Sequence, residues 1–167
     1  MATSWPPMDR HGLSITVDNI RSFEQTIGAE LPDDYRAFLL DLNGGRPARS
    51  HRTFVIRRAG KHRDETTLDT LHSLDDPDED RDLAAHQLLR REDYPENGLR
   101  IGYDAFGAPL VLILTGARRG EIWYFDVEDD SEDRPVASVD WFDRRDVWSV
   151  ATSFREFMAS LGPLDAP

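Results

Sequence analysis

Residues 20–45 read IRSFEQTIGAELPDDYRAFLLDLNGG, and they contain two apolar stripes separated by a glycine and a proline. The apolar residues recur three, four and seven positions apart, which is the spacing of one helix face. They are Ile20, Phe23 and Ile27 in the first stripe and Tyr35, Phe38, Leu39 and Leu42 in the second. Gly28 is suited to end the first helix and Pro32 to begin the second. The stretch predicts a helical hairpin, with helices over residues 17–27 and 32–43, closing on a shared core.

The rest of the chain alternates between strand and helix signals. β-Branched and aromatic runs bounded by glycines predict strands, and three of these runs form an antiparallel meander. The predicted strands cover residues 52–57, 99–104, 109–115 and 121–126. A third helix is expected over residues 80–90, and a capping box that starts at Ser153 predicts a last helix ending near Leu161. The sequence does not decide the secondary structure of residues 64–80 and 127–150. In the first of these segments, residues 66–74 fit either a strand or a helical turn. The order of elements predicts an α+β fold, a mostly antiparallel sheet covered by helices.

Three landmarks in this order resemble the SUKH superfamily, which includes immunity proteins of bacterial polymorphic toxin systems and yeast cell-wall-synthesis regulators. The first landmark is the hairpin, with Ile20, Glu24, Gly28, Leu31, Pro32, Tyr35, Phe38, Leu39, Asn43, Gly44 and Gly45. The second is Ile101, Gly102, Asp104, Gly107, Leu110 and Leu112, followed by Gly120, Ile122 and Phe125. The third is Ala151, Ser153, Phe154, Glu156, Phe157 and Leu161. The resemblance implies one domain that binds another protein and catalyses nothing.

Length and composition agree with a single globular domain. The chain has 167 residues and no cysteine, so a disulfide, a thiolate zinc site and a cysteine nucleophile are excluded. The longest apolar run, residues 110–114, is far too short for a membrane span. We expect a cytoplasmic protein with a loose lead-in over residues 1–15, a domain over 16–162 and a tail over 163–167.

The net charge of −12 is concentrated in two short runs. Residues 75–82 hold six acids and one arginine, and residues 126–133 hold six acids and no base, whereas residues 46–63 hold seven bases and no acid. Such runs are usually solvated loops, but a focused negative field also accelerates encounter with a cationic partner. The candidate electrostatic contacts are Asp75, Asp76, Asp78, Glu79, Asp80, Asp82, Asp126, Glu128, Asp129, Asp130, Glu132 and Asp133. Trp141, Phe142 and Trp148 are candidates for an aromatic contact, with an ordinary core role as the alternative.

Catalytic and metal motifs are incomplete in this sequence. A kinase-like His-Arg-Asp at residues 62–64 has Asp69 where the metal-binding asparagine belongs, and the acidic runs lack the glycine and glutamate of a calcium loop. Glu24 is interpreted as an exposed carboxylate or a cap for the second helix, and Asp104 as a turn former. Ion pairing of the basic segment with acids of the chain or of a partner is favoured over nucleic-acid binding. We therefore predict no catalytic residue, no metal, no cofactor and no small-molecule substrate.

The sequence thus predicts an immunity protein that neutralises a cognate cationic toxin, a nuclease, by stoichiometric occlusion. Nuclease toxins are basic because they bind phosphate, so an acidic protein can steer toward them. The alternatives are a housekeeping interaction module of the cell-wall-regulator type and, ranked last, an enzyme of unknown type.

Overall fold

The computed structural model describes residues 5–57, 63–89, 95–126, 141–143 and 147–163. Within these ranges the fold is α+β, as predicted, with four helices and a mostly antiparallel sheet. The helices are α1 (Val17–Ile27), α2 (Asp33–Asp41), α3 (Leu83–Leu89) and α4 (Phe154–Ser160). The strands are β1 (Met8–Arg10), β2 (Arg46–Pro47), β3 (Thr53–Arg57), β4 (Arg63–Leu71), β5 (Gly98–Asp104), β6 (Pro109–Ile113), β7 (Ile122–Phe125) and β8 (Val147–Ala151).

The predicted helical hairpin is confirmed, and local signals set its boundaries. The Thr16 side chain caps α1 by accepting from the Asn19 amide, and the Asn19 side chain in turn accepts from the Thr16 amide. Gly28 ends the helix in the left-handed conformation, at a φ of 72°. Helix α2 is shorter than predicted and stops at Asp41. The two helices bury their apolar faces in one core.

Six strands, β3 to β8, pair in chain order, and β3 returns to β8 so that the sheet closes on itself. The predicted meander corresponds to β5, β6 and β7, all antiparallel. The open segment after residue 64 is a strand as far as Leu71, because β4 pairs with β3 on one side and β5 on the other. In the second open segment, β8 pairs with β7.

The sheet has a buried cluster on each face, in keeping with the wholly apolar sequence of β6. Leu110 and Leu112 belong to the main core beneath the helices, whereas Val111 and Ile113 belong to a smaller cluster on the opposite face. Alternation along the strand divides them in this way.

The described part of the expected lead-in, residues 5–15, makes contacts with the rest of the domain. Trp5 packs edge-on against Phe38, with ring centroids 5.5 Å apart, and its Nε1 donates to Asp41 at 2.9 Å. Strand β1 pairs with β2, and Asp9 accepts from Arg52 at 2.8 Å. These contacts depend on residues that are distant in sequence, so local composition does not reveal them.

No helix in the described ranges is both long enough and apolar enough to cross a membrane.

Candidate functional site

The first acidic run, residues 75–82, is an ordered loop between β4 and α3. The Ser73 amide donates to the Arg81 carbonyl at 2.9 Å, and the Leu83 amide donates to the Ser73 carbonyl at 2.8 Å. The two ends of the run are therefore tied together. We call residues 75–82 the acidic loop.

Two of its six acids hold the loop in shape. Asp76 accepts from the Asp78 amide at 3.0 Å and pairs with Arg81 at 3.4 Å. Burial alone would raise the pKa of the Asp76 carboxyl, but the Asp78 amide and the Arg81 guanidinium outweigh it and lower that pKa. Asp82 accepts from the Asp76 amide and, at the start of α3, from the Ala85 amide. These two carboxylates are committed to internal bonds.

The other four acids, Asp75, Asp78, Glu79 and Asp80, are exposed. Asp75 has a φ of 58°, in the left-handed region, and accepts from the Asn19 side chain at 3.0 Å. Asp78 lies 3.3 Å from Arg81 and still has 45% of its side chain exposed. Asp78 also accepts from the Asp80 amide at 3.1 Å. The structure thus separates the six acids of this loop into two half-buried and four exposed residues, which the sequence alone could not do.

Asn43, from the Asn-Gly-Gly landmark, holds the base of the acidic loop. Its Oδ1 accepts from the Leu74 amide, and its Nδ2 donates to the carbonyls of Leu74 and Leu13, all at 2.8 Å. Gly44 permits the close approach of the chains, because a Cβ there would lie 2.3 Å from the His72 carbonyl oxygen. The landmark that indicates the family is therefore also the support of the loop.

A histidine pair lies beneath the acidic loop. The rings of His72 and His86 lie with centroids 4.1 Å apart and planes tilted by 30°, and Nε2 of His86 is 2.7 Å from the Asp80 carbonyl oxygen. His72 is fully buried, and neither of its ring nitrogens has a hydrogen-bond partner among the described residues. Burial, reinforced by the nearby His86 and Arg100, lowers the pKa of His72 to about 2. The two residues are 14 positions apart in sequence and meet only because α3 folds back over β5.

The second acidic run falls mostly outside the described residues. Asp126 is half-buried at the end of β7. The candidates outside the described ranges are Glu128, Asp129, Asp130, Glu132 and Asp133.

The three candidate aromatic residues lie in two different environments. Trp148 is 7% exposed and belongs to the main core, where it stacks on Tyr124 at 5.8 Å, so it has the core role that was the alternative. Trp141 and Phe142 are half-buried and cover the cluster on the opposite face of the sheet. Phe142 lies 4.6 Å from the Trp123 ring, and the Arg118 guanidinium lies over both rings.

Two arginines of the basic segment, Arg46 and Arg52, pair with acids of the chain itself. Arg46 pairs with Asp69, and Arg52 pairs with Asp9 while it also donates to the Pro47 carbonyl. These pairs agree with the interpretation that the basic segment forms ion pairs with acids of the chain. Residues 58–62 lie outside the described ranges.

Glu24 and Asp104, the carboxylates of the first and second landmarks, have structural roles. Glu24 accepts from the Leu31 amide at 2.8 Å and pairs with Arg36, so it caps the turn into α2. Asp104 is 0% exposed and accepts four hydrogen bonds, two of them from amides of its own turn. The other two come from the hydroxyls of Thr66 and Tyr124. Both interpretations made from the sequence, a helix cap and a turn former, agree with this geometry.

Comparison with known families gives one match. A family model described as SMI1 / KNR4 family (SUKH-1) matches residues 14–160, which is most of the chain. Searches of curated proteins and of solved structures returned no match.

Proposed function

The chain belongs to the SMI1 / KNR4 family (SUKH-1), and from this membership we propose that it is an immunity protein that neutralises a cationic toxin. The family supports a role of the immunity or SMI1 / KNR4 regulator type in general, without catalysis. The finer assignment, a nuclease toxin made by the same cell, rests on the charge of the chain. The mechanism is stoichiometric occlusion of the toxin's phosphate-binding surface.

The observation that carries the proposal is the prefolded acidic loop. Four exposed carboxylates stand on a frame of internal hydrogen bonds, from Asp76 and Asp82 within the loop and from Asn43 beneath it. A rigid loop loses little conformational entropy on binding, so more of the contact energy appears as affinity. The exposed acids chiefly set the association rate, since opposite charges steer the encounter.

The test uses the catalytic domain encoded by a toxin gene directly upstream, where the genome carries one, assayed for cleavage of DNA and RNA while this chain is added. We expect inhibition to be complete at one molar equivalent. A domain that stays fully active at a large excess of this chain would overturn the proposal.

The surface is tested by charge reversal. Glu79→Lys with Asp80→Lys should slow association by about tenfold or more at low salt, and the difference should shrink as salt is added. Asp64→Lys with Glu65→Lys is the matched control, since these exposed acids lie near the other end of β4 and the change in charge is the same. An equal effect of both pairs would mean that only net charge matters.

Gene context separates the immunity role from the regulator role. A toxin gene next to this one favours immunity. Its absence, together with recovery of this chain in an assembly of housekeeping proteins, favours an interaction module of the regulator type.

A further inference from the structure

Two exposed apolar side chains lie beside the acidic loop, on the segment that leads into α1. Leu13 is 67% exposed and Val17 is 50% exposed. Together with Leu40 and Phe106 they are the large hydrophobic residues exposed in the described ranges. Single exposed apolar residues are ordinary on protein surfaces. Here two of them lie on one short segment next to a charged loop, which the ordinary scatter of single apolar residues does not explain.

Hydrogen bonds hold this segment against the loop. The Asn43 Nδ2 donates to the carbonyls of both Leu13 and Leu74, which places Leu13 at the base of the loop. One turn into α1, the Asn19 side chain donates to the Asp75 carboxylate at 3.0 Å. Leu13 and Asn19 are therefore both held near residues 74–75, and Val17 lies between them in the sequence.

Val17 is the first residue of α1, and Ile20 follows it three positions later on the neighbouring part of the helix surface. Ile20 and Phe23 are buried in the main core, whereas Val17 is 50% exposed. Asp18, with 85% of its side chain exposed, adjoins it and pairs with Arg21. The apolar pair is thus bordered by carboxylates, Asp18 on the helix and Asp75 on the loop.

We propose that Leu13 and Val17 form the apolar centre of the toxin-binding surface, with the exposed acids of the acidic loop and Asp18 as its rim. An apolar centre inside a polar rim is the usual anatomy of a protein interface. The occupant that fits is a protein surface whose apolar side chain is surrounded by lysine and arginine, because the carboxylates of this rim outnumber the arginines that pair with it, Arg21 and Arg81. This inference rests on the proposed function and names the part of the surface that holds the bound toxin.

The two parts of the surface have different kinetic roles. Long-range attraction by the acids acts on the association rate, whereas desolvated apolar contacts act on the dissociation rate. Leu13→Ser with Val17→Ser should therefore raise the dissociation rate by about tenfold or more and leave the association rate within about threefold. Leu13→Lys, which places a cation against a cationic partner, should weaken binding further.

The experiment measures both rate constants by biolayer interferometry against the catalytically inactivated domain encoded upstream. Phe106→Ser is the matched control, since Phe106 is 71% exposed on the β5–β6 turn, whose Ala105 amide bonds to Thr67 rather than to the acidic loop. Melting temperatures check that each variant is folded. Because Leu13 is exposed, Leu13→Lys is not expected to disturb the fold. A dissociation rate unchanged by either variant, or raised equally by Phe106→Ser, would overturn the inference.

The failure of the inference is distinguishable from failure of the proposed function. If reversal of Glu79 and Asp80 slows association while the apolar variants change nothing, the acidic surface stands and the apolar centre is wrong. If the unmodified chain does not bind the upstream domain at all, both are wrong.

Discussion

Acid is expected to destabilise this protein through one buried imidazole, that of His72. In the folded chain His86 from α3, Arg100 and Tyr103 from β5, and the backbone of Arg81 surround this ring. Burial, reinforced by the nearby His86 and Arg100, lowers its pKa to about 2, so the folded state keeps it neutral at every pH above that value. In the unfolded chain the same imidazole takes up a proton near its ordinary pKa of about 6.5.

The sign and size of the effect follow from proton linkage. Below pH 6.5 the unfolded state binds one proton more than the folded state at this position, so the free energy of unfolding falls as the pH falls. The loss continues until the pH reaches the folded pKa of about 2. The slope approaches about 1.4 kcal/mol per pH unit, which gives a loss of about 2 kcal/mol between pH 7.5 and pH 5.0.

Urea unfolding of the native chain and of His72→Leu, followed by tryptophan fluorescence at several pH values from 7.5 to 5.0, isolates this contribution. Other titrating groups are common to both proteins and cancel in the difference. We expect the free energy of unfolding of His72→Leu, taken relative to that of the native chain, to rise by about 2 kcal/mol as the pH is lowered from 7.5 to 5.0. His11→Leu, which replaces an exposed histidine, is the control and should not reproduce the gain. If the difference between the native chain and His72→Leu stays constant with pH to within about 0.5 kcal/mol, the reasoning is refuted.

Three further predictions concern the supports of the fold. Gly44→Ala should lower the free energy of unfolding by more than about 3 kcal/mol, because the new Cβ would lie 2.3 Å from a backbone oxygen. Gly28→Ala, also at positive φ but in open space, should lower it by about 1 kcal/mol. Equal losses of stability on thermal denaturation would contradict this. Asp104→Asn should cost about 2 to 4 kcal/mol in urea unfolding, because an amide cannot accept all four hydrogen bonds of this buried carboxylate, and a loss below about 1 kcal/mol would be inconsistent with that account. Asn43→Ala should accelerate hydrogen exchange at the Leu74 amide by about tenfold or more, while unchanged exchange would show that Asn43 does not hold the loop.

Elements defined by local signals were predictable from the sequence. Helix α1 begins after a capping threonine and ends at a glycine in the left-handed conformation, and both signals lie in the residues that directly flank the helix. Strand β4 is not predictable in this way, because residues 66–74 fit either a strand or a helical turn, and pairing with β3 and β5 decides the conformation of the strand. The docking of Trp5 depends likewise on partners more than 30 residues away.

The candidate site was predictable in charge but not in geometry. The sequence shows six acids in the loop, but only the fold shows that Arg81 turns inward toward Asp76 and that Asp82 caps α3. Trp148 lies within β8, where the alternation of the strand points it into the core, whereas Trp141 precedes that strand and covers the other face. Leu13 and Val17 gave no signal, because exposure of an apolar residue is a property of the folded surface.

The central claim is that this chain binds a cationic toxin with the face formed by the acidic loop and the start of α1. Hydrogen–deuterium exchange of the chain, free and bound to the inactivated domain encoded upstream, tests it most directly. The account predicts that binding slows exchange at residues 12–19 and 74–82 and leaves the β5–β6 turn at residues 105–108 unchanged. Protection confined to that turn, or no protection at residues 74–82 in a complex that forms, would contradict it.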